Sequence, residues 1–344
     1  MDNDEFLILR TGEAVGLVTP GEALEAIEDA WRDYGAARDV LSSPPAMSLG
    51  GGGTRFKVKG AVLPEANLAG FRLIADGPSQ TREWCWVAEA ETGRPVALVE
   101  AWWLHNLRTA ATGALAAKLL APAGATRAAL IGAGRIAAHL PAALAAALPG
   151  ITALHVAARR PEAVAEFCAT AGQDLAMALH PAASVEEAVA DADIVITVTT
   201  ASAPVLHAAA LKPGATVIGL GDEELAPDLL GWARRFVVDE LSFALTCGSL
   251  GGWVSGGAVP AAAIAARVDA DIGQVAAGLK PGRQADGENV LAIIQGMAVG
   301  DLALAALAWR KARIRRLGHR VALGGDSGGP RPRGPTPRRN RLLR

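Results

Sequence analysis

The stretch Ala128-Ala-Leu-Ile-Gly-Ala-Gly-Arg-Ile-Ala-Ala138 constrains this chain more than any other. A short apolar run, Ala128 to Ile131, meets Gly132 and Gly134, and an Ala/Leu-rich helical pattern follows from Arg135 to Leu148. Strand, glycine turn and helix in that order form a dinucleotide-binding unit. Gly132 permits the tight turn, Gly134 lets the backbone approach a pyrophosphate, and Ala137 allows close helix–strand packing. The N–H groups at the helix start then face a phosphate. In an Ala/Gly-rich chain the bare GxGxxA spacing arises by chance, so the weight rests on the strand before it and the helix after it.

From Thr126 onward the alternation repeats. A strand over 154–158 precedes a helix over 161–171, and a helix over 184–190 precedes a strand over 194–200. A strand over 216–220 ends in Gly221-Asp-Glu-Glu224, and another follows over 235–239. Continuous apolar strands alternating with helices predict an α/β fold with a Rossmann-type doubly wound parallel sheet. Ligands of such sheets bind outside the carboxyl ends of the strands. Those ends carry Gly132, Gly134, Arg135, Ile136, Arg159, Arg160, Thr199, Thr200 and Asp222. In NAD enzymes an Asp or Glu at the second strand end holds the adenosine ribose, whereas this chain has Ala157-Ala-Arg-Arg160. A guanidinium there holds a 2′-phosphate in bidentate geometry, so NADP(H) is the expected preference. NAD(H) stays open, because Arg159 stacked on adenine serves either cofactor.

Residues 1–120 read differently. Thr19-Pro-Gly-Glu22 opens a helix over 19–38 with Leu24, Ile27, Ala30, Trp31 and Tyr34 on one face. Residues 42–53 are Ser/Pro/Gly-rich and read as irregular. Four strands follow, over 55–63, 69–75, 84–90 and 96–100, and predict an antiparallel sheet in a mixed α+β domain. Arg55, Lys57, Lys59 and Arg72 recur in it, and their plain reading is solvated charge. A helix over 104–120 carries Arg108 as its only charge before Lys118. An arginine so placed needs an anionic ligand, water or a structural ion pair. Trp84, Trp86, Trp102 and Trp103 either line a bulky pocket or pack in the core or a dimer interface, and the apolar area of Trp favours packing. An Ala-rich helix over 288–310 is expected to return to the first domain. From Gly324 the chain is Gly/Pro/Arg-rich, and a disordered tail is expected over 322–344.

Composition narrows the class of function. A net charge of −2 points away from a general nucleic-acid partner. No uncharged apolar run reaches the roughly 20 residues that span a membrane. The acidic start, Met1-Asp-Asn-Asp-Glu5, does not read as a signal peptide. Cys85, Cys168 and Cys247 stand far apart with no CxxC, as expected for reduced thiols in a cytoplasmic protein without a metal site.

With these motifs in place the chain resembles the ornithine cyclodeaminase/mu-crystallin family, from about Val18 to Leu317. The resemblance is carried by Glu91-Thr-Gly-Arg-Pro-Val-Ala-Leu98, Leu107-Arg-Thr-Ala-Ala-Thr112, Ile131-Gly-Ala-Gly-Arg-Ile-Ala137, Asp191-Ala-Asp-Ile-Val-Ile-Thr197 and Gly296-Met-Ala-Val-Gly-Asp301. It implies a substrate-binding and dimerisation domain over 1–120, completed by 288–320, with the dinucleotide domain inserted over 121–287. It implies Arg108 on the substrate carboxylate, Arg72 in place of the family's lysine, and Lys59 at a lysine of the dehydrogenase and imine reductase branches. Thr109 and the Gly132–Ile136 turn would meet the cofactor phosphates, and Asp222 aligns with the family's acid/base aspartate. The chain also departs from the pattern. Ala46 follows Pro44-Pro where an arginine is expected, the loop after Asp222 lacks its Pro-Gly-Lys segment and leaves Glu223 as a rival for the acid/base role, and Ser249 replaces a glutamate.

The implied chemistry is hydride transfer between the nicotinamide and the α-carbon of a small amino or imino acid, with the protein supplying orientation and charge. Arg108, Arg72 and Lys59 would clamp the carboxylate. Asp222 would exchange a proton with the substrate nitrogen or activate a water. Arginine at position 72 stays charged, whereas a lysine moves protons. Three readings follow: an NAD(P)-dependent imine reductase or amino-acid dehydrogenase first, an ornithine-type cyclodeaminase second, and a non-catalytic NADP-binding protein third. A homodimer is expected in each.

Overall fold

The computed structural model describes residues 5–36 and 45–323, and these form two sheets wrapped by helices. The first sheet takes β1 (Glu5–Leu9), β2 (Met47–Gly51), β3 (Thr54–Leu63), β4 (Leu68–Asp76), β5 (Thr81–Glu89) and β6 (Pro95–Glu100). The four strands from β3 to β6 are antiparallel, as the alternating sequence predicts. The segment expected to be irregular holds β2, which pairs with β3 and turns through Gly52 and Gly53 at positive φ. Glycine tolerates that conformation without strain, so a Gly-rich stretch closes a hairpin here.

The second sheet takes β7 (Arg127–Ile131), β8 (Ala153–Ala157), β9 (Ala178–Pro181), β10 (Ile194–Thr197), β11 (Thr216–Gly219), β12 (Arg235–Val238), β13 (Ala270–Asp271) and β14 (Val290–Ile293). Its order is β13-β12-β14-β11-β10-β7-β8-β9, and every pairing is parallel. β10, β11, β12 and β14 are buried along their whole length, which explains their mostly apolar sequences. The order reverses beside β7, where the glycine turn lies, so the ligand crevice of a doubly wound sheet falls there.

The helix expected over 288–310 is replaced by β14 and a later helix, Ala298–Arg315. Backbone pairing of β14 with β11 and β12 outweighs the Ala-rich pattern downstream. The chain leaves the second sheet at Ile293 and reaches the first through Gly296. The helix expected to run unbroken from Arg135 begins instead as a tight turn over 137–139 and becomes α-helical at Leu140–Ala147. A final strand, β15 (His319–Ala322), pairs antiparallel with β1, so the tail expected from residue 322 starts inside a strand. Residues 324–344, and residues 37–44 of the early helix and loop, lie outside the described residues.

Helix Pro20–Ala36 buries Leu24, Ile27, Ala30, Trp31 and Tyr34, the face its spacing predicts. Its Gly35 abuts Gly273 at the start of helix Ile272–Ala276, where a β-carbon on Gly35 would lie 1.9 Å from the Gly273 carbonyl oxygen. Helix Trp102–Leu120 is buried on nearly every side, which explains its run of small residues. The outward face of the first sheet is apolar. Leu49, Phe56 and Phe71 are exposed there, with Phe71 stacked on Trp86 at 5.2 Å. Among the described residues no helix is long and apolar enough to cross a membrane.

Candidate active site

The register of the first sheet builds a row of side chains on its inner face. Lys59 stands opposite Arg72, and Arg72 opposite Cys85. Strand alternation turns all three inward, with Lys59 5% and Arg72 3% exposed. Helix Ala298–Arg315 lies across this face and lowers Asp301 onto it, while helix Trp102–Leu120 supplies Arg108 from the side. Asp301 Oδ1 accepts from Arg72 Nη1 at 3.1 Å and from Arg108 Nε at 2.9 Å. Arg72 Nη2 donates to Glu83, the next inward position on β5. Arg108 Nη2 lies 2.8 Å from His105 Nδ1. Lys59 Nζ donates to the Gly296 carbonyl at 2.8 Å and sits 4.4 Å from the centre of the Phe243 ring.

These charges shift one another. Burial, with Lys57 and Arg108 nearby, lowers the Lys59 ammonium to about 7. Burial pushes the Asp301 carboxyl up, but Arg108, Arg72 and Lys59 outweigh it and hold it at about 2. Burial and the adjacent arginines keep His105 neutral, well below its usual value. A neutral ring that accepts from Arg108 at Nδ1 carries its proton on Nε2. With Lys59 protonated, three cations face Asp301 and Glu83, and the buried Asp239 beyond the Gly296 peptide feels Lys59 as well. One Asp301 carboxylate oxygen, Oδ2, and Arg72 Nε are buried without a partner among the described residues. Three buried cations gathered at one site suit an anionic ligand, and a carboxylate gains charge-assisted hydrogen bonds there.

The Gly296 peptide is held from both sides. Asp239, fully buried, accepts from its N–H at 2.6 Å and from the Gln295 N–H at 2.8 Å. Burial raises Asp239 to about 6 against the pull of these bonds and of Lys59. Gly296 has φ +83°, and a β-carbon there would lie 2.0 Å from Arg108 Nη1. Only glycine lets the chain pass this close to the guanidinium.

At the second sheet, Gly132 has φ +121° and a β-carbon on it would sit 2.5 Å from the Val198 carbonyl oxygen. A β-carbon on Gly134 would meet nothing within 4 Å, so the turn is open on the side a pyrophosphate needs. Ala137 is fully buried against the sheet. The residues therefore fit a dinucleotide. Exposed Arg135 stacks over Trp102 at 4.9 Å, and exposed Arg159 and Arg160 follow the end of β8. Thr109 is buried, its hydroxyl donating to the His105 carbonyl at 2.8 Å.

Glu224 braces the strand ends. Its buried carboxylate accepts from Thr197 Oγ1 at 2.5 Å, Thr199 N–H at 2.7 Å and Gly221 N–H at 2.7 Å. It thereby joins the turn after β10, with Thr199 and Thr200, to the turn after β11, with Asp222 and Glu223. Asp222 and Glu223 are both exposed. Cys247, pushed up to about 11 by burial, donates to the Phe243 carbonyl at 3.5 Å, and the Phe243 ring lies under Lys59.

Lys59, Arg72 and Arg108 are thus brought together, and the cofactor-side residues gather at the ends of β7, β8 and β10. Arg72 is engaged by two protein carboxylates. The four tryptophans do not share a pocket: Trp103 is buried, Trp84 and Trp86 lie on the outward face of β5 with Trp86 stacked on Phe71, and Trp102 lies under Arg135. Sequence reasoning missed Asp301, Glu83, His105, Asp239 and Glu224. Asp301 left a signal, as the first charge in an apolar helix.

A sequence model of the ornithine cyclodeaminase/mu-crystallin family matches residues 23–314. A putative dehydrogenase of Rhizobium meliloti is 32% identical over 90% of this chain and 97% of its own. An archaeal alanine dehydrogenase, solved as a dimer with bound NAD, is 28% identical over 92% of this chain and 99% of its own, with a TM-score of 0.83. The iminosuccinate reductase of Paracoccus denitrificans, solved with NAD+, is 25% identical over 93% of this chain and all of its own, with a TM-score of 0.81.

Proposed function

This chain belongs to the ornithine cyclodeaminase/mu-crystallin family, and on that premise we propose that it is an NAD(P)-dependent oxidoreductase acting at the α-carbon of an amino or imino acid. The observation that carries the reading is the convergence of three buried cations, Lys59, Arg72 and Arg108, on one site beside Asp301 and Glu83. An α-carboxylate is an anion that such donors suit. Lys59 has two ammonium donors beyond the one given to Gly296, and with Arg108 it binds the carboxylate. Arg72, already shared between Asp301 and Glu83, is a positioning residue that fixes Asp301 and through it Arg108. Asp222 moves a proton to or from the substrate nitrogen. When bound, the dinucleotide supplies or accepts the hydride.

The first sheet with helix Ala298–Arg315 serves as the substrate and dimerisation unit, and the second sheet holds the cofactor. The apolar outward face with Leu49, Phe56 and Phe71 supports a homodimer, as does the dimeric alanine dehydrogenase. Three unpaired cysteines support a reducing, cytoplasmic setting. Arg159 and Arg160, with no acid beside them, favour NADP(H), whereas the bound NAD of the relatives weighs toward NAD(H). Titrating tryptophan-to-nicotinamide energy transfer with NADPH and NADH decides between them. Tighter NADPH binding that Arg159→Ala abolishes supports the preference, and equal binding removes it.

The reaction is tested by NAD(P)H consumption with cyclic ketimines, or with 2-oxo acids and amines. Stoichiometric consumption supports net redox. Ammonia and proline released from ornithine with no net change in cofactor would replace this reading by cyclodeamination. Cofactor binding with no turnover across the panel would leave the non-catalytic reading.

A further inference from the structure

Lys59 belongs to the first sheet, yet the carbonyl and the ring that touch its ammonium come from chain leaving the second. Past β12 the chain runs through Asp239 and Glu240 into the short helix Leu241–Ala244. Asp239 Oδ2 accepts from the Gln295 and Gly296 N–H groups, in the link that leaves β14, and Oδ1 accepts from the Glu240 N–H at 3.0 Å. Both oxygens of a fully buried carboxylate are thus spent on backbone. The link held this way offers the Gly296 carbonyl to Lys59 Nζ at 2.8 Å. Glu240 accepts from the Ser242 and Phe243 N–H groups at 3.1 and 2.6 Å, and this cap opens the helix that lays the Phe243 ring 4.4 Å from the same ammonium. A carbonyl and an aromatic face both suit a cation. Gly296 also runs against Arg108, the second cation of the carboxylate site.

We propose that Asp239 is a positioning residue: by holding Gly296 it seats the Lys59 ammonium beside Arg108, so the substrate-carboxylate site is assembled by both sheets. The proposal rests on the oxidoreductase reading above, in which Lys59 and Arg108 bind the carboxylate. Asp239 acts at one remove, through backbone. The groups that bear on the Lys59 charge are Lys57 on its own strand, Arg72 on β4, Arg108 and Asp301 on the two covering helices, and Asp239 past β12. His105 and the Cys247 thiol stand near it uncharged. The cations among these lower Lys59 and the two carboxylates raise it. Removing the Asp239 charge takes away one of the two. Removing its acceptor oxygens frees the Gln295 and Gly296 N–H groups, so the Gly296 carbonyl is no longer aimed at Lys59. Both changes disfavour the ammonium.

The test reads Lys59 directly. The chain has six lysines, so carbon NMR of the full-length protein labelled at lysine Cε gives few signals, and Lys59 is the one lost in Lys59→Arg. In the parent it should titrate near 7. Asp239→Asn should lower that midpoint by about one pH unit, the scale set by a neighbouring opposite charge. A midpoint that stays in place overturns the proposal, since a purely structural role for Asp239 leaves Lys59 unmoved. If Asp239→Asn does not fold, the link is read from its other end: Lys59→Met should raise the aspartate carboxyl that titrates near 6 in the parent, and an unmoved carboxyl overturns the proposal. Calorimetric titration of pyruvate and L-proline into the dinucleotide-saturated protein at pH 7 tests the carboxylate reading separately. Asp239→Asn should weaken binding about fivefold, the drop in ammonium fraction when the midpoint falls from about 7 to about 6. A shifted Lys59 with unchanged binding overturns the claim that the seat serves the carboxylate. Binding of neither ligand to the parent removes the carboxylate reading itself, and the Lys59 midpoint still shows whether Asp239 seats the ammonium.

Discussion

Replacing Asp301 by Asn keeps the side-chain shape and removes one negative charge from between two guanidinium groups. Oδ1 serves both Arg72 and Arg108, at 3.1 and 2.9 Å, in a site 1% exposed. Removing one partner from a buried ion pair costs about 3–5 kcal/mol, since the other charge stays buried without compensation. Lys59 modulates the figure. Lys59, lowered to about 7, is already mostly neutral at pH 8 in the parent, so its attraction to Asp301 is forfeited by the variant only at lower pH. The loss should therefore lie near the lower end at pH 8 and near the upper end at pH 6. The acid limb gives a second signature. The Asp301 pKa is lowered from 3.8 to about 2, so its contribution is present above pH 3.8 and is lost as pH falls through 2. That titration is worth roughly 2 kcal/mol, and Asp301→Asn should lack it. Urea unfolding followed by tryptophan fluorescence at pH 8, 6 and 3 measures all three effects. Adding Arg72→Met to Asp301→Asn should recover part of the loss by removing a surplus cation. A loss under about 1 kcal/mol at both pH 6 and pH 8 would refute the idea that Asp301 balances the cluster.

The remaining expectations concern the neighbours of this carboxylate. Lys59 is lowered from 10.5 to about 7, so it binds an anion only below that pH, and kcat/KM for carboxylate substrates should fall as pH rises through 7. Lys59→Arg should move the fall beyond about pH 9, and an unshifted profile would exclude Lys59. Its effect on stability has the opposite trend: the buried ammonium costs stability below pH 7, and the cost is relieved as pH rises toward 10.5. Gly296→Ala should cost about 1–2 kcal/mol for its positive φ and displace Arg108, raising KM far more than it lowers kcat; an unchanged KM would exclude this role for Gly296. Glu224→Gln should lose about 1–3 kcal/mol by turning an amide donor toward backbone N–H groups. It should also weaken dinucleotide binding, measured by the same fluorescence titration; unaltered affinity would show that the brace does not organise the turns.

The parallel sheet was legible because β7, β8, β10, β11 and most of β12 are short, apolar and bounded by turn residues, whereas β9, with His180 and Pro181 on an exposed edge, carries no such run. β14 was hidden because Val290–Ile293 runs toward an Ala-rich helix with little punctuation before Gly296, and an apolar run that short fits either element. β1 and β15 escaped for a related reason: each acquires its meaning from pairing with the other and with β6, far away in sequence. In the site, Arg108 stood out as the lone charge in an apolar helix, whereas Lys59 and Arg72 read locally as solvated charge and were tied to the substrate only by the family resemblance. The shared partner did not stand out, because Asp301 lies 229 residues from Arg72 and no local pattern links them. The resemblance sets Arg72 on the substrate carboxylate, and no local pattern announces the two protein carboxylates that engage its guanidinium. Glu224 was overshadowed by Asp222 and Glu223, although it is the fully buried member of the three.

The contact between Gly35 and Gly273 bears on how such a site opens. A β-carbon on Gly273 would meet Tyr34 Cδ1 at 2.7 Å and the Gly35 N at 3.1 Å, so neither backbone has room to slide over the other. Helix Pro20–Ala36 packs on helices Trp102–Leu120 and Ala298–Arg315, whereas Gly273 follows β13 of the second sheet, so the two halves are riveted at this contact. A clamshell motion that parted them would break this rivet. Access to the crevice is then a matter of small rotations about a fixed pivot and of loop movement at the strand ends. Enlarging either glycine should loosen the frame before it touches the chemistry.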